Sequence, residues 1–143
     1  MMIVLGSDHG GYEYKNKIIE HLAERGIETT DFGCYSSESC DYPDFARPLA
    51  EAVAKGEFDC GILVCGTGIG MSITANKVSG IRASVCTNEF MTKATREHND
   101  ANILCLGARV IDLDTALTLV DLFIDTPFSN DERHIRRISK IED

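Results

Sequence analysis

No apolar run in this chain is long enough to cross a membrane. The apolar start, Met1 to Leu5, is too short for a signal core and has no basic residue before it. Positive charge is scarce, with 14 Lys and Arg against 23 Asp and Glu and a net charge of −9. That balance argues against nucleic acid or an anionic membrane as a partner. No Cys-x-x-Cys occurs among the six cysteines, and the four histidines are scattered. A structural zinc site is therefore not expected, and no metal is assigned. Linkers, repeats and low-complexity stretches are also missing. These absences fit a protein of the cytoplasm with free thiols.

What is present is an ordinary globular composition of 143 residues, 43% hydrophobic and 26% charged, which favours one domain over 1–143. Short apolar runs recur at Ile3-Val4-Leu5, Ile27-Glu28-Thr29, Gly61 to Val64, Ala83-Ser84-Val85 and Ile103 to Leu106. Helical stripes lie between or after them: Tyr14, Ile18 and Leu22; Phe45, Leu49 and Val53; Leu113, Ala116, Leu117, Val120 and Ile124. Short apolar strands alternating with helices predict a three-layer α/β/α sandwich, Rossmann-like, with about five parallel strands. An extra helix is expected over Asn130 to Glu142, with Ser129, Asn130 or Asp131 as its cap. The longest loop is Phe32 to Asp44, and its Cys34 and Cys40 are expected to be open to alkylation.

The most informative stretch is Asp59 to Lys77. An apolar strand ends at Cys65, and Gly66, Gly68 and Gly70 follow before a helix begins. The spacing is neither G-x-G-x-x-G nor a P-loop, so a dinucleotide cofactor is not indicated. A thiol at a strand end beside a glycine loop can be a packed core cysteine, or it can be a base. Backbone N–H groups of the loop would stabilise thiolate and oxyanion together. That arrangement suits removal of a proton from a carbon next to a carbonyl.

In parallel sheets ligands bind at the carboxyl ends of strands. Ser7-Asp8-His9-Gly10-Gly11, Cys65 to Gly70, and Arg109 all follow such ends and should converge. Asp8 could instead simply cap the first helix, and His98-Asn99-Asp100 could simply end another. Arg133 and Arg137 are four apart, so one helix face presents both, and both can reach one phosphate. They belong to the only dense basic cluster, with His134, Arg136 and Lys140. The alternative for them is a solvated basic face.

Taken together, these segments resemble the B-type ribose-5-phosphate isomerases, within the ribose/galactose-6-phosphate isomerase group. The matching stretches are Gly6 to Gly11, Asp41-Tyr42-Pro43, Cys65 to Gly70, Ala75-Asn76-Lys77, Gly80 to Ala83, Glu97 to Asn102, Gly107 to Val110, and Arg133-His134. The resemblance runs from Ile3 to about Ile141. It implies interconversion of ribose 5-phosphate and ribulose 5-phosphate without metal or organic cofactor. It makes Cys65 the base, His98 the acid/base for ring opening, and Thr67 a neighbour of the moving proton. Gly66, Gly68, Ile69 and Gly70 would donate N–H groups to the enediolate oxygen. Asp8, His9 and Asn99 would contact sugar or phosphate, and Arg109, Arg133 and Arg137 would hold the phosphate. One branch of the family uses a glutamate four residues after this cysteine, and here that position is Ile69, which takes no proton. The resemblance further implies a homodimer, or a dimer of dimers, with sites shared between subunits. The sister galactose-6-phosphate isomerases lack His-Asn-Asp, so its presence favours a pentose phosphate. Isomerisation of a six-carbon sugar phosphate (allose 6-phosphate or galactose 6-phosphate) and a non-catalytic sugar-phosphate sensor stay open.

Overall fold

A computed structural model describes residues 1–142. Five parallel strands form one sheet in the order β2-β1-β3-β5-β4: β1 Ile3–Ser7, β2 Thr29–Asp31, β3 Cys60–Cys65, β4 Ala83–Val85 and β5 Ile103–Gly107. The helices are α1 Tyr12–Glu24, α2 Pro43–Ala54, α3 Ile69–Ala75, α4 Glu89–Asn99, α5 Leu113–Asp125 and α6 Glu132–Ile141. A 3-10 turn, His9–Gly11, joins β1 to α1. None of the described helices is long and apolar enough to cross a membrane.

The central strands are buried on both faces, and alternate residues feed two cores. Ile3, Leu5, Ile62, Val64, Leu104 and Leu106 face α1 and α5, which contribute Ile18, Leu22, Leu119, Val120 and Phe123. Val4, Leu63, Cys65, Ile103 and Cys105 face α2 and α3, which contribute Leu49, Val53, Met71 and Ala75. The α/β/α sandwich expected from the sequence is thus the observed fold.

The second strand lies two residues later than its apolar run suggests. Gly26, at φ 78°, ends α1, with its N–H donating to Ala23 O and the Ile27 N–H donating to Leu22 O. This is a Schellman closure, and Ile27 is its hydrophobic anchor against the core rather than a strand residue. The strand that follows is polar because β2 is a sheet edge.

The strand order places the site. From β1 the chain crosses by α1 to β2 on one side; from β3 it crosses by α3 to β4 on the other. Strands β1 and β3 are neighbours, so a crevice opens between their carboxyl ends, where the winding reverses.

Candidate active site

The crevice is built by backbone contacts between its two walls. Asp8 N–H donates to Val64 O at 3.2 Å. Gly11 lies so close to the Val64 carbonyl that no Cβ fits. Beyond β5, Ala108 N–H donates to Cys65 O and Arg109 N–H to Gly66 O, each at 2.9 Å. Three segments far apart in sequence therefore meet at one sheet edge, as expected.

Cys65 is the last residue of β3 and is 5% exposed. Its Sγ accepts a hydrogen bond from the Gly68 N–H at 3.1 Å. The loop can turn back in this way because Gly68 sits at φ 81°, a conformation costly for other residues. A Cβ there would also meet the Leu106 carbonyl carbon at 3.0 Å. The neighbouring Ile69 N–H donates to Thr67 Oγ1 at 3.2 Å. Two of the loop's N–H groups thus hold the thiol and the threonine rather than standing open for an oxyanion.

The other thiols differ. Burial pushes Cys60 up to about 11, and it raises Cys86 and Cys105 as well. Cys40 is raised too, again chiefly by burial. Cys34 is buried and donates to Ser36 O at 3.2 Å. The expectation that the loop thiols stand open is corrected for Cys34, because the root of the Phe32 to Asp44 loop folds back on β1 through Ser7 N–H to Gly33 O and Cys34 N–H to Ser7 O, whereas Cys40 is partly exposed.

Asp8 caps the 3-10 turn, with Oδ1 accepting from Gly10 and Gly11 N–H at 2.9 and 3.2 Å. Capping and a substrate role are compatible, since Oδ2 takes no part in the cap. His9 Nδ1 accepts the Cys40 N–H at 3.2 Å, which leaves Nε2 as the protonated nitrogen of the neutral ring. The Arg109 guanidinium lies over Gly66, where a Cβ would come 3.3 Å from Nη1. Among the described residues Arg109 has no ion-pair partner within 4.0 Å, so its charge is available to an anion.

His98, Asn99, Arg133 and Arg137 are elsewhere. The end of α4 leads into the start of β5: Arg82, just before β4, donates to Asn99 O, and Gly61 N–H donates to Asn102 O. Cys65 pairs with Gly107 at the other end of β5. Four strand steps of 3.3 Å separate the two ends, about 13 Å before side chains are counted. Helix α6 lies along the same amino-terminal edge, with His134 stacked on His98 at 4.4 Å between ring centroids. Burial, then the charge of His98, holds His134 below the ordinary imidazole value. The candidate residues therefore form two half-sites at opposite ends of one sheet.

Three residues have roles that sequence reasoning did not assign. Tyr42 covers Gly70 so closely that a Cβ there would come 2.6 Å from its ring. Cys40 fixes His9 through its backbone, and His134 stacks on His98. Tyr42 and His134 fall within stretches that match the family, which was the available signal. The Cys40 contact has none, because it comes from a backbone N–H. Among the described residues, no three His, Cys, Asp or Glu side chains are grouped to hold a metal ion.

A thiol and a free arginine in the crevice of a doubly wound sheet are the arrangement a catalyst for small anionic substrates would need. The model of the ribose/galactose isomerase family matches residues 3–141. Ribose-5-phosphate isomerase B of Escherichia coli is 47% identical, over 97% of this chain and 93% of that protein. The structure of Clostridium thermocellum ribose-5-phosphate isomerase B superposes with a TM-score of 0.97 at 56% identity, covering 99% of this chain and 95% of that one. A Trypanosoma brucei type B ribose 5-phosphate isomerase gives 0.95 at 43% identity, covering 99% and 96%. The chain belongs to the ribose/galactose isomerase family. It is an enzyme, an aldose–ketose isomerase, and the resemblance to the B-type enzymes is borne out.

Proposed function

We propose that this enzyme interconverts ribose 5-phosphate and ribulose 5-phosphate through an enediolate, in the cytoplasm and without metal or organic cofactor. The observation that carries the proposal is the Cys65 thiol, held by the Gly68 N–H at the carboxyl end of β3. The B-type relatives across the whole chain support the substrate. Free thiols at all six cysteines suit a reducing compartment.

Cys65, as the base, takes the proton from C2 of the open-chain aldose and returns it to C1, while the proton of the O2 hydroxyl passes to O1. One positioned base supplies about 10²–10⁴-fold. Thr67 Oγ1 stands in the same loop beside the moving proton. The loop N–H groups of Gly66 and Gly70, which do not hold Cys65 or Thr67, and the His9 Nε2–H donate to the sugar oxygens, and Asp8 orients a hydroxyl. Ring opening falls to His98, and phosphate binding to Arg109, Arg133 and Arg137 with Asn99 nearby. His98 and the α6 arginines lie about 13 Å or more along the sheet from their own Cys65, by strand geometry. A second copy of the chain therefore supplies them, in a homodimer or a dimer of dimers whose sites are shared. The exposed isoleucines of α6, Ile135 and Ile141, and Ile69 and Ile73 of α3 provide apolar surface for that association.

The test is turnover of ribose 5-phosphate by protein stripped with chelator, in deuterated water. Ribulose 5-phosphate should form, with deuterium entering at the exchanging carbon. A folded, saturated sample that gives neither product nor label contradicts the proposal.

A further inference from the structure

Lys15 is the one lysine with a fully buried side chain among the described residues, and the chemistry above does not use it. It sits on α1 with Nζ 2.8 and 3.0 Å from the two Asp31 oxygens, and it donates to Cys34 O. The rings of Tyr12 and Tyr35 lie 5.3 and 5.5 Å from the ammonium. Asp31 also accepts the Gly33 N–H at 2.8 Å, and Tyr35 Oη donates to Asp31 O at 3.0 Å. One cation thus gathers the end of β2 and the root of the Phe32 to Asp44 loop. That root is stitched to the end of β1 by Ser7 N–H to Gly33 O at 2.6 Å and Cys34 N–H to Ser7 O at 2.8 Å. Six residues after Cys34, the loop delivers the Cys40 N–H to His9 Nδ1.

A buried ammonium carries a large desolvation cost, and an apolar side chain of similar volume would fill the space without it. What the charge adds is geometry, because it requires a carboxylate and a carbonyl at set places. We propose that Lys15 is a positioning residue: by fixing the loop root it holds the Cys40 N–H on His9, so that His9 presents a protonated Nε2 to the crevice. The role of His9 toward substrate rests on the proposed function. The tautomer itself does not.

The test uses two variants and two readouts. Lys15→Met keeps length and volume and removes the charge. Asp31→Asn keeps the lysine and weakens its anchor. Nitrogen-15 NMR of the His9 ring should show the Nε2–H tautomer in the parent protein. A shift toward mixed tautomers is expected in Lys15→Met, and a smaller shift in Asp31→Asn. KM for ribose 5-phosphate should rise by up to about 10-fold in Lys15→Met, the size of one lost hydrogen bond, with kcat changed less than about 3-fold. If Lys15→Met does not fold, Asp31→Asn carries the test alone. A folded variant with the His9 tautomer and KM both unchanged overturns the proposal. A parent protein that lacks turnover, in which the tautomer still shifts on substitution, overturns the proposed substrate and leaves the positioning role standing.

Discussion

Cys65 is buried like Cys34, Cys60, Cys86 and Cys105, but among the described cysteines its sulfur alone accepts a backbone N–H. Cys105 is as deeply buried, but desolvation holds it in the thiol form, whereas Cys65 receives a backbone N–H on its sulfur. That contrast supports the proposed role of Cys65 as the base. Cys65→Ala should lower kcat by about 10² or more while leaving ligand binding near normal, as expected for a lost base. Iodoacetamide at neutral pH should modify Cys65 before Cys40, Cys60, Cys86 and Cys105, whose thiols are all raised, and substrate should protect it. Peptide mapping that finds the first label on Cys40 with activity intact contradicts this ordering. The importance of Cys65 was legible because a strand, a thiol and three alternating glycines follow one another directly in sequence. The tautomer of His9 was not legible, since its partner is a backbone N–H 31 residues away.

At the scale of elements, the periodic apolar residues located four of the five strands and the helices that carry the core. The miss at β2 has a local cause: an apolar Ile27 serves a helix ending, and a sheet-edge strand needs no apolar run. The last helix falls inside its expected bounds, and Asp131 is the cap, accepting the Arg133 N–H at 3.0 Å. Its anchorage was not legible, because the stack of His134 on His98 joins two helices with no shared sequence signal. That anchorage should depend on pH. The folded value of His134 lies below its ordinary value of 6.5, so its neutral form favours the folded state. This contribution is complete above about 6.5 and is lost as pH falls toward the folded value, because the unfolded chain takes up the proton first. Thermal melting should show a larger fall in Tm from pH 7.5 to about pH 5 for the parent protein than for His134→Gln. Equal falls would show that His134 does not couple the helix to pH.

At the scale of the molecule, the sheet holds two half-sites apart. The thiol, glycine loop, His9 and Arg109 occupy the carboxyl edge; His98, Asn99, Arg133 and Arg137 occupy the amino edge. The sequence indicated both sets, but only the strand register shows that one chain does not join them. With a net charge of −9, the proposed phosphate contacts call for a local concentration of arginines. The most direct test mixes two inactive proteins, Cys65→Ala and Arg133→Ala/Arg137→Ala, under conditions that allow subunits to exchange. With shared sites, each mixed dimer has one site with both defects and one intact site. Random exchange of equal amounts should then restore about a quarter of wild-type activity, since half of the dimers are mixed. If exchange is demonstrated and no activity returns, each Cys65 works with its own chain's arginines, and the account of two half-sites joined between subunits is wrong.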